Sequence, residues 1–333
     1  LQFYNSDFTA EYRKHNGDKI PDTAAYVSQL SDEGAALQLA YIRNNSNLLG
    51  QKQRLDRAAT SSAYDLAHER IHPWIRSNLE LYGLYDVFLI DAESGQIIYS
   101  VSKETDFGAS LSKGPLAQTN LAEVYRGLKM GTDRDAVLLS DTKLYGPSYD
   151  GPASFIGSPV YDGEKLLGIM VFQVPFEAVN KIVTDRAGLG ETGETVLVGQ
   201  DWLPRTDSYR DSVGRTVSAA FRNPDKALMK DESIMRALDK GETDVVTLSE
   251  DYLGNPAIAA FTPIKVLGHK WALVAKKDTS EALKAVQEVQ TASADASGSL
   301  WWWIMGVGSI AALLVGFTTY VTARSFGAME VKA

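Results

Sequence analysis

Apolar positions near the start of the chain recur every three to four residues. Ala25, Leu30, Leu37, Ala40 and Tyr41 lie on one face of a helix that opens after Pro21-Asp22. The turn formers of NNSNLLG, residues 44–50, end it. A longer helix is predicted from about Gln51 to Tyr82, with Leu55, Ala58, Ala59, Ser62, Leu66, Ile71, Ile75 and Leu79 in helical period. Pro73 should bend or interrupt it. The period then changes to two. YDVFLIDAESGQIIYSV, residues 85–101, reads as strand, Glu93-Ser94-Gly95 turn, strand. A short helix over 121–130 follows, then strands over 136–140, 153–160 and 166–174, the last two joined by Asp162-Gly163. This pattern predicts an antiparallel sheet with helices packed on it.

The pattern then repeats. FLIDAESGQIIYS from Phe88 is echoed by VLVGQDWLPRTDS from Val196, and PVYDGEKLLGIMVFQVP from Pro159 by PIKVLGHKWALVAKKD from Pro263. Both echoes come roughly 100 residues later, the spacing of two similar α+β units. Residues 278–299 are polar and helix-forming, with Leu283, Val286 and Val289 on one side. They lead into residues 300–323, LWWWIMGVGSIAALLVGFTTYVTA, an uncharged run. At about 1.5 Å per residue it is long enough for a bilayer core of about 30 Å. Trp301, Trp302 and Trp303 crowd one end and Tyr320 the other, as interfacial aromatics do. Arg324 and Lys332 follow, so the C-terminus is expected in the cytoplasm and residues 1–299 outside. Export of that part calls for an upstream signal, and the simplest expectation is a transmembrane helix preceding Leu1, with LQFYNSDF as its exit.

Composition narrows the classes. The chain has 333 residues, 44% hydrophobic and 23% charged, which is a globular balance with room for two domains. A net charge of -9 argues against nucleic acid as a partner. The absence of cysteine excludes disulfides, thiolate metal sites and cysteine nucleophiles.

HERIH, residues 68–72, matches H-E-x-x-H. On a helix His68 and His72 would share a face and bind zinc, with Glu69 as general base. Pro73 disturbs the helix such a site needs, and no further ligand stands out among His15 and His269 or the carboxylates. The favoured reading is a helix face whose histidines bond to neighbouring polar groups. A membrane-anchored zinc metalloprotease is the alternative. GLGETG, residues 188–193, has a helix before it and a strand after it, the reverse of a dinucleotide site, and reads as a turn. Asp201 and Asp207 flank a hairpin and read as solvated turn residues. The segment DTKLYGPSYDGPASF, residues 141–155, places Tyr145 and Tyr149 in a long connection between strands, where aromatic rings with hydroxyl tips suit small polar ligands.

Together, YGLYDVFLIDAESGQIIYSVSKETDFGASL (82–111), PSYDGPASFIGSPVYDGEKLLGIMVFQVP (147–175) and GLGETGETVLVG (188–199) resemble the double-Cache sensor domains of bacterial chemoreceptors and sensor kinases. The resemblance spans about residues 21–325, and VTARS, residues 321–325, looks like the start of a HAMP linker. It implies an α+β fold: a long N-terminal helix, two PAS-like antiparallel-sheet modules and one transmembrane helix. The corresponding division is an N-terminal helical region at 1–82, a membrane-distal module at 83–183 and a membrane-proximal one at 184–278. A juxtamembrane helix at 279–299, the span at 300–323 and a cytoplasmic stub at 324–333 complete it.

The resemblance further implies a homodimer in the bacterial inner membrane, with small-molecule binding in the distal module. A cytoplasmic signalling module would lie beyond this chain. No cofactor is expected, and the reading is a receptor, not an enzyme. Amino-acid-binding members of the family carry an Arg-x-Trp-Tyr element and a late aspartate. The corresponding positions here are KGPLAQ, residues 113–118, and Gln173. The expected ligand-binding set is Asp141, Tyr145, Tyr149, Phe155, Gln173 and Lys103. Asp141 supplies a charge if it points inward, and Lys103 or Lys113 would hold an anionic ligand. Kinase or cyclase output is an alternative to chemotaxis, and a partner protein an alternative to a solute.

Overall fold

The computed structural model describes residues 2–284 together with Met305, Gly306 and Ser309. Helical segments come first: a π-helical turn at Tyr4–Phe8, α1 (Thr9–Asn16), α2 (Thr23–Ser28) and α3 (Asp32–Gln38). The single helix expected over 25–41 is thus two. Ser31 accepts the N–H of Gly34 and starts a new helix with its own cap. The second expected helix also starts later. After a 3-10 turn at Lys52–Arg54, α4 runs over Ala63–Tyr82, capped by Ser62 on the N–H of Asp65. Contrary to expectation, α4 passes through Pro73 without interruption. Arg76 and His72, in the turn around it, both bond to the Gln53 carbonyl and hold the helix to its neighbour. The buried face of α4 carries Asp65, His68, His72 and Ile75.

The strands are β1 (Asp86–Asp91), β2 (Ile97–Ser100), β3 (Leu138–Leu139), β4 (Lys143–Tyr145), β5 (Gly151–Ala153), β6 (Phe155–Asp162), β7 (Lys165–Gln173), β8 (Glu194–Val198), β9 (Asp244–Leu248), β10 (Ala257–Val266) and β11 (His269–Asp278). The first sheet has the order β2-β1-β7-β6-β3 and the second β8-β11-β10-β9, while β4 and β5 form a small hairpin of their own. The order β1-β7-β6-β3 is therefore repeated as β8-β11-β10-β9. The connection expected over 141–155 contains the β4–β5 hairpin, and the strand expected over 136–140 shrinks to two residues.

Helix α5 (Asn120–Met130) lays Leu121, Val124, Tyr125 and Leu128 onto the first sheet, against Phe88, Ile90, Phe155, Ile169 and Val171. Each such side chain contributes roughly 1.5–3 kcal/mol by leaving water. A second core gathers Val196, Val198, Ile234, Phe261 and Val274. Helix α6 (Phe176–Val183) links the first sheet to the second in sequence and contacts β8, and α7 (Val217–Arg222) packs on β4 and β5. Both sheets belong to one compact unit, Leu1–Lys277. A second begins at Asp278 and starts with the helical turn Thr279–Ala282. Among the described residues no helix is long and apolar enough to cross a membrane. The span expected at 300–323 lies outside them, apart from Met305, Gly306 and Ser309, which are helical.

Helix α3 touches the segment after β2 backbone to backbone. A Cβ on Gly34 would collide with the carbonyl oxygen of Gly108, and one on Gly108 would stand 2.8 Å from the Gly34 oxygen. Gln96 ties the contact by donating to the Gly108 carbonyl at 3.1 Å and to the Ser31 hydroxyl at 3.3 Å. Alanine is the better helix former by about 1 kcal/mol, but here overpacking wins. Gly34→Ala should lower stability by roughly 1–3 kcal/mol. Chemical denaturation measures it, and an unchanged or raised midpoint would show that the two backbones are not locked together.

Candidate functional site

The first residue of β1 organises the end of the first sheet. Asp86 is fully buried and accepts the N–H groups of Val87, Val101 and Ser102, at 2.6, 2.8 and 3.0 Å, and the Ser100 hydroxyl at 2.8 Å. These bonds turn the chain after β2 back over the sheet. Burial nonetheless raises its pKa, against the pull of those donors. Lys103 follows in a left-handed conformation, φ 58°. Its side chain is buried, donates to the Ser100 carbonyl, and lies 4.5 Å from the centre of the Tyr99 ring and 4.9 Å from that of Phe107. Burial lowers its pKa, opposed by the charges of Asp86 and Asp106.

Two more carboxylates come with this segment. Glu104 accepts from the Tyr85 hydroxyl at 2.8 Å and from the Ser148 hydroxyl at 2.6 Å. Asp106 accepts from the Tyr145 hydroxyl at 2.7 Å, and its other oxygen is buried without a partner. Desolvation raises both pKa values, and for Glu104 the Asp106 charge adds to it. In the sheet, Gln173 at the end of β7 stands between Asp86 of β1 and Phe155 of β6. It is 3% exposed, donates weakly to the Ser148 hydroxyl at 3.4 Å, and leaves Oε1 unpartnered.

Two adjoining cavities open beside this cluster and share Leu49, Gly50, Tyr85 and Tyr149 as walls. The larger, about 540 Å³, extends to Gln173, Ser148, Asn180, Asp207 and Arg222. The smaller, about 240 Å³, reaches Lys103, Glu104 and Thr105. Of the expected set, Tyr149, Gln173 and Lys103 therefore line open space. Tyr145 and Phe155 do not. Both are fully buried, packed edge to face at 4.9 Å between ring centres, and fill the gap between sheet and hairpin themselves.

Asp141 is turned away altogether. It forms a two-pronged ion pair with Arg205, Nε to Oδ1 at 2.8 Å and Nη2 to Oδ2 at 2.7 Å. Burial works to raise its pKa, but the guanidinium overrides it and holds the carboxyl below its usual range. Arg205 also grips Asp201, and Asp207 accepts from Asn180 and Val217, so the two aspartates expected to be solvated are engaged. Tyr85, Glu104, Ser148 and Arg222 were missed by sequence reasoning. The run Glu104-Thr105-Asp106 beside Lys103 was a readable signal for the first cluster.

The zinc arrangement is not formed. Both nitrogens of His72 are spent: Nε2 donates to the Gln53 carbonyl at 2.6 Å and Nδ1 accepts from the Tyr99 hydroxyl at 2.7 Å. His68 donates from Nδ1 to the Asp56 carbonyl at 2.7 Å, and its ring stacks on His72 at 4.3 Å. Glu69 pairs with Arg57 at the surface. Among the described residues no group of three potential ligands could hold a metal ion.

No protein-family model matches the sequence, and no curated protein matches it. Solved structures do resemble the fold. The extracellular domain of vpHK1S-Z8, an assigned histidine kinase, shares 14% identity over 86% of this chain and 96% of its own, with a TM-score of 0.44. The periplasmic sensory domain of the Campylobacter jejuni chemoreceptor Tlp1 shares 16%, over 82% and 93%, with a TM-score of 0.43. The ligand-binding domain of the Pseudomonas aeruginosa PAO1 amino acid chemoreceptor PctC, solved in complex with GABA, shares 16%, over 77% and 100%, with a TM-score of 0.41. All three are extracellular, periplasmic or ligand-binding domains of sensory proteins.

The stacked histidines set a pH dependence. Burial, with the Lys103 charge second, lowers His68 to about 3 and His72 to about 4. In the unfolded chain each takes up a proton near pH 6.5. The stability each contributes is therefore whole above about pH 6.5 and is lost as pH falls toward 4, by roughly 1.4 kcal/mol per pH unit per histidine. The raised Glu104 and Asp106 act with the opposite sign, so a comparison with a variant isolates the effect. His68→Phe should lose less stability than wild type between pH 7 and 5 in denaturant titrations. Parallel curves would contradict the neutral, buried assignment.

Proposed function

We propose that this chain is the extracytoplasmic sensing region of a transmembrane chemoreceptor, and that a small solute binds in the cavity walled by Tyr149, Tyr85 and Gln173. The observation that carries the reading is a contrast between the two halves. In the second sheet, Lys276 of β11 stands opposite Glu194 of β8, as Gln173 stands opposite Asp86. Its ammonium binds Asp251, lies 3.4 Å from Glu194 and sits over the Tyr252 ring at 3.3 Å. The chain's own cation fills that place. The first half has at the same place a shorter, neutral Gln173 with an unspent carbonyl, and open volume next to it. A volume of about 540 Å³ falls within the range of small-molecule sites, roughly 300–1,000 Å³.

In this reading the modules divide as 83–183 and 184–278, the first distal to the membrane. Residues 279–299 and the span at 300–323 carry helix displacement inward, to chemotaxis signalling or to a kinase or cyclase. The homodimer is supported by a row of apolar side chains along α4: Ile71, Trp74, Leu81 and Tyr82 are exposed, Trp74 at 70% and Leu81 at 76%. A second copy of this helix is the occupant proposed for that face.

A solute that occupies the cavity should raise the melting temperature of the protein in a metabolite screen, by mass action. Tyr149→Ala should then weaken binding about tenfold or more, the loss of one aromatic wall. A broad screen with no shift, or a shift unaffected by Tyr149→Ala, would count against this cavity as the sensing site.

A further inference from the structure

Arg222, the last residue of α7, reaches the larger cavity from the second half of the protein. It is half-buried. A guanidinium carries five N–H donors. Here one of them, on Nη2, reaches the Asp150 carbonyl at 3.5 Å, and Nε is buried without a partner. Among the described residues no carboxylate pairs with it. Two other sheltered arginines are treated differently: Arg205 is gripped by Asp141 and Asp201, and Arg215 by Asp211 at 2.6 Å.

Of the three carboxylates lining the same cavity, two have partners within the chain. Asp207 accepts from Asn180 Nδ2 at 2.8 Å and from the Val217 N–H at 2.7 Å. Glu11 faces Lys14 and His15 at 2.5 and 3.5 Å. Glu177 is exposed to solvent. The donors left unspent beside the cavity belong to a cation, Arg222, in a chain whose net charge is -9. We infer that the cavity takes a small solute bearing an oxyanion, a carboxylate or a phosphate, seated on Arg222. This rests on the cavity reading above and adds the class of its ligand. The planar fork of arginine matches both groups with two parallel N–H···O bonds, which a lysine would not reproduce. Arg222 comes from the second half and Gln173 and Tyr149 from the first, so the bound solute bridges the two. Arg222 is then a residue that determines specificity, placed at the end of α7, while the aromatic wall comes from the β4–β5 hairpin.

The test uses the full chain in detergent. The anionic probes are acetate, succinate, pyruvate, inorganic phosphate and glycerol 3-phosphate. Acetamide, succinamide and glycerol are the uncharged counterparts, and putrescine is the cationic one. Calorimetric titration and melting curves are recorded for wild type, Arg222→Gln and Arg222→Lys, with the ligand-free melting curve reporting that each variant is folded. At least one anionic probe is expected to bind saturably, at least about tenfold tighter than its uncharged counterpart. Arg222→Gln should weaken it by about thirtyfold or more, and Arg222→Lys by less. The carboxylate and phosphate arms tell which oxyanion is preferred. Anion binding unchanged in Arg222→Gln, or saturable binding confined to the uncharged or cationic probes, overturns the oxyanion assignment and leaves the cavity as a binding site. Absence of saturable binding by every class overturns both.

Discussion

The end of the first sheet depends on one buried carboxylate. Asp86 stands at the start of β1 with no access to water, and four donors converge on it. Three of them are N–H groups or a hydroxyl from the end of β2 and just beyond, so satisfying Asp86 fixes where the chain goes next. That path puts Lys103 under the rings of Tyr99 and Phe107 and brings Glu104 and Asp106 to the hydroxyls of Tyr85, Ser148 and Tyr145. A charge removed from water is tolerated only when donors replace the solvent. The cost of burying this one is offset by making it the pin of a turn.

The same device recurs in the second sheet with a different outcome. Glu194 opens β8 and accepts the Ser208 hydroxyl at 2.8 Å, as Asp86 accepts that of Ser100, and the N–H groups of Asp211 and Lys103 bond in the same way to those two serines. The scaffold is duplicated; the neighbours are not. Lys276 and Tyr252 close the second copy: the ammonium faces both Glu194 and Asp251 and lies over the ring. In the first copy the position of Lys276 is held by Gln173, and what remains is a polar wall. The two halves are then braced by the Asp141–Arg205 pair and by a bond from His269 Nε2 to the Leu139 carbonyl at 2.7 Å. Movement of the hairpin side relative to the second sheet must work against these contacts.

Much of this fold is legible in the sequence because alternation and turn residues are local. The strands at β1, β2, β6 and β7 fall where period two and the Ser94-Gly95 and Asp162-Gly163 turns put them. Helix starts were less legible, since Ser31 and Ser62 act through cap bonds that an apolar period does not reveal. For the site, the Tyr- and Gly-rich loop contains Tyr149, which borders open space as Gln173 and Lys103 do. Tyr145 in the same loop turned inward because β4 makes it a strand residue facing the core, and Phe155 followed. Asp141 was misread because its partner, Arg205, lies 64 residues away, beyond any local pattern. Arg222 was invisible for a related reason: an unspent guanidinium is defined by the partners it lacks, and those can be counted only in three dimensions.

The hairpin tip ties the N-terminal helices to the wall of the candidate site. Tyr149 and Asp150 are both left-handed, φ 57° and 52°, a conformation that disfavours residues with a Cβ by about 1–2 kcal/mol each. Helix α1 and the turn before it hold the tip in place. Asn16 donates to the Tyr149 carbonyl at 2.8 Å, the Tyr12 hydroxyl binds Asp150, His15 stacks on the Tyr149 ring at 5.3 Å, and Phe8 packs on it at 5.6 Å. Strain held by external contacts is released when those contacts go. In the proposed reading a solute against Tyr149 would meet the ring that α1 grips, and any shift of the tip that relaxes its backbone must displace α1 or break the bonds to it.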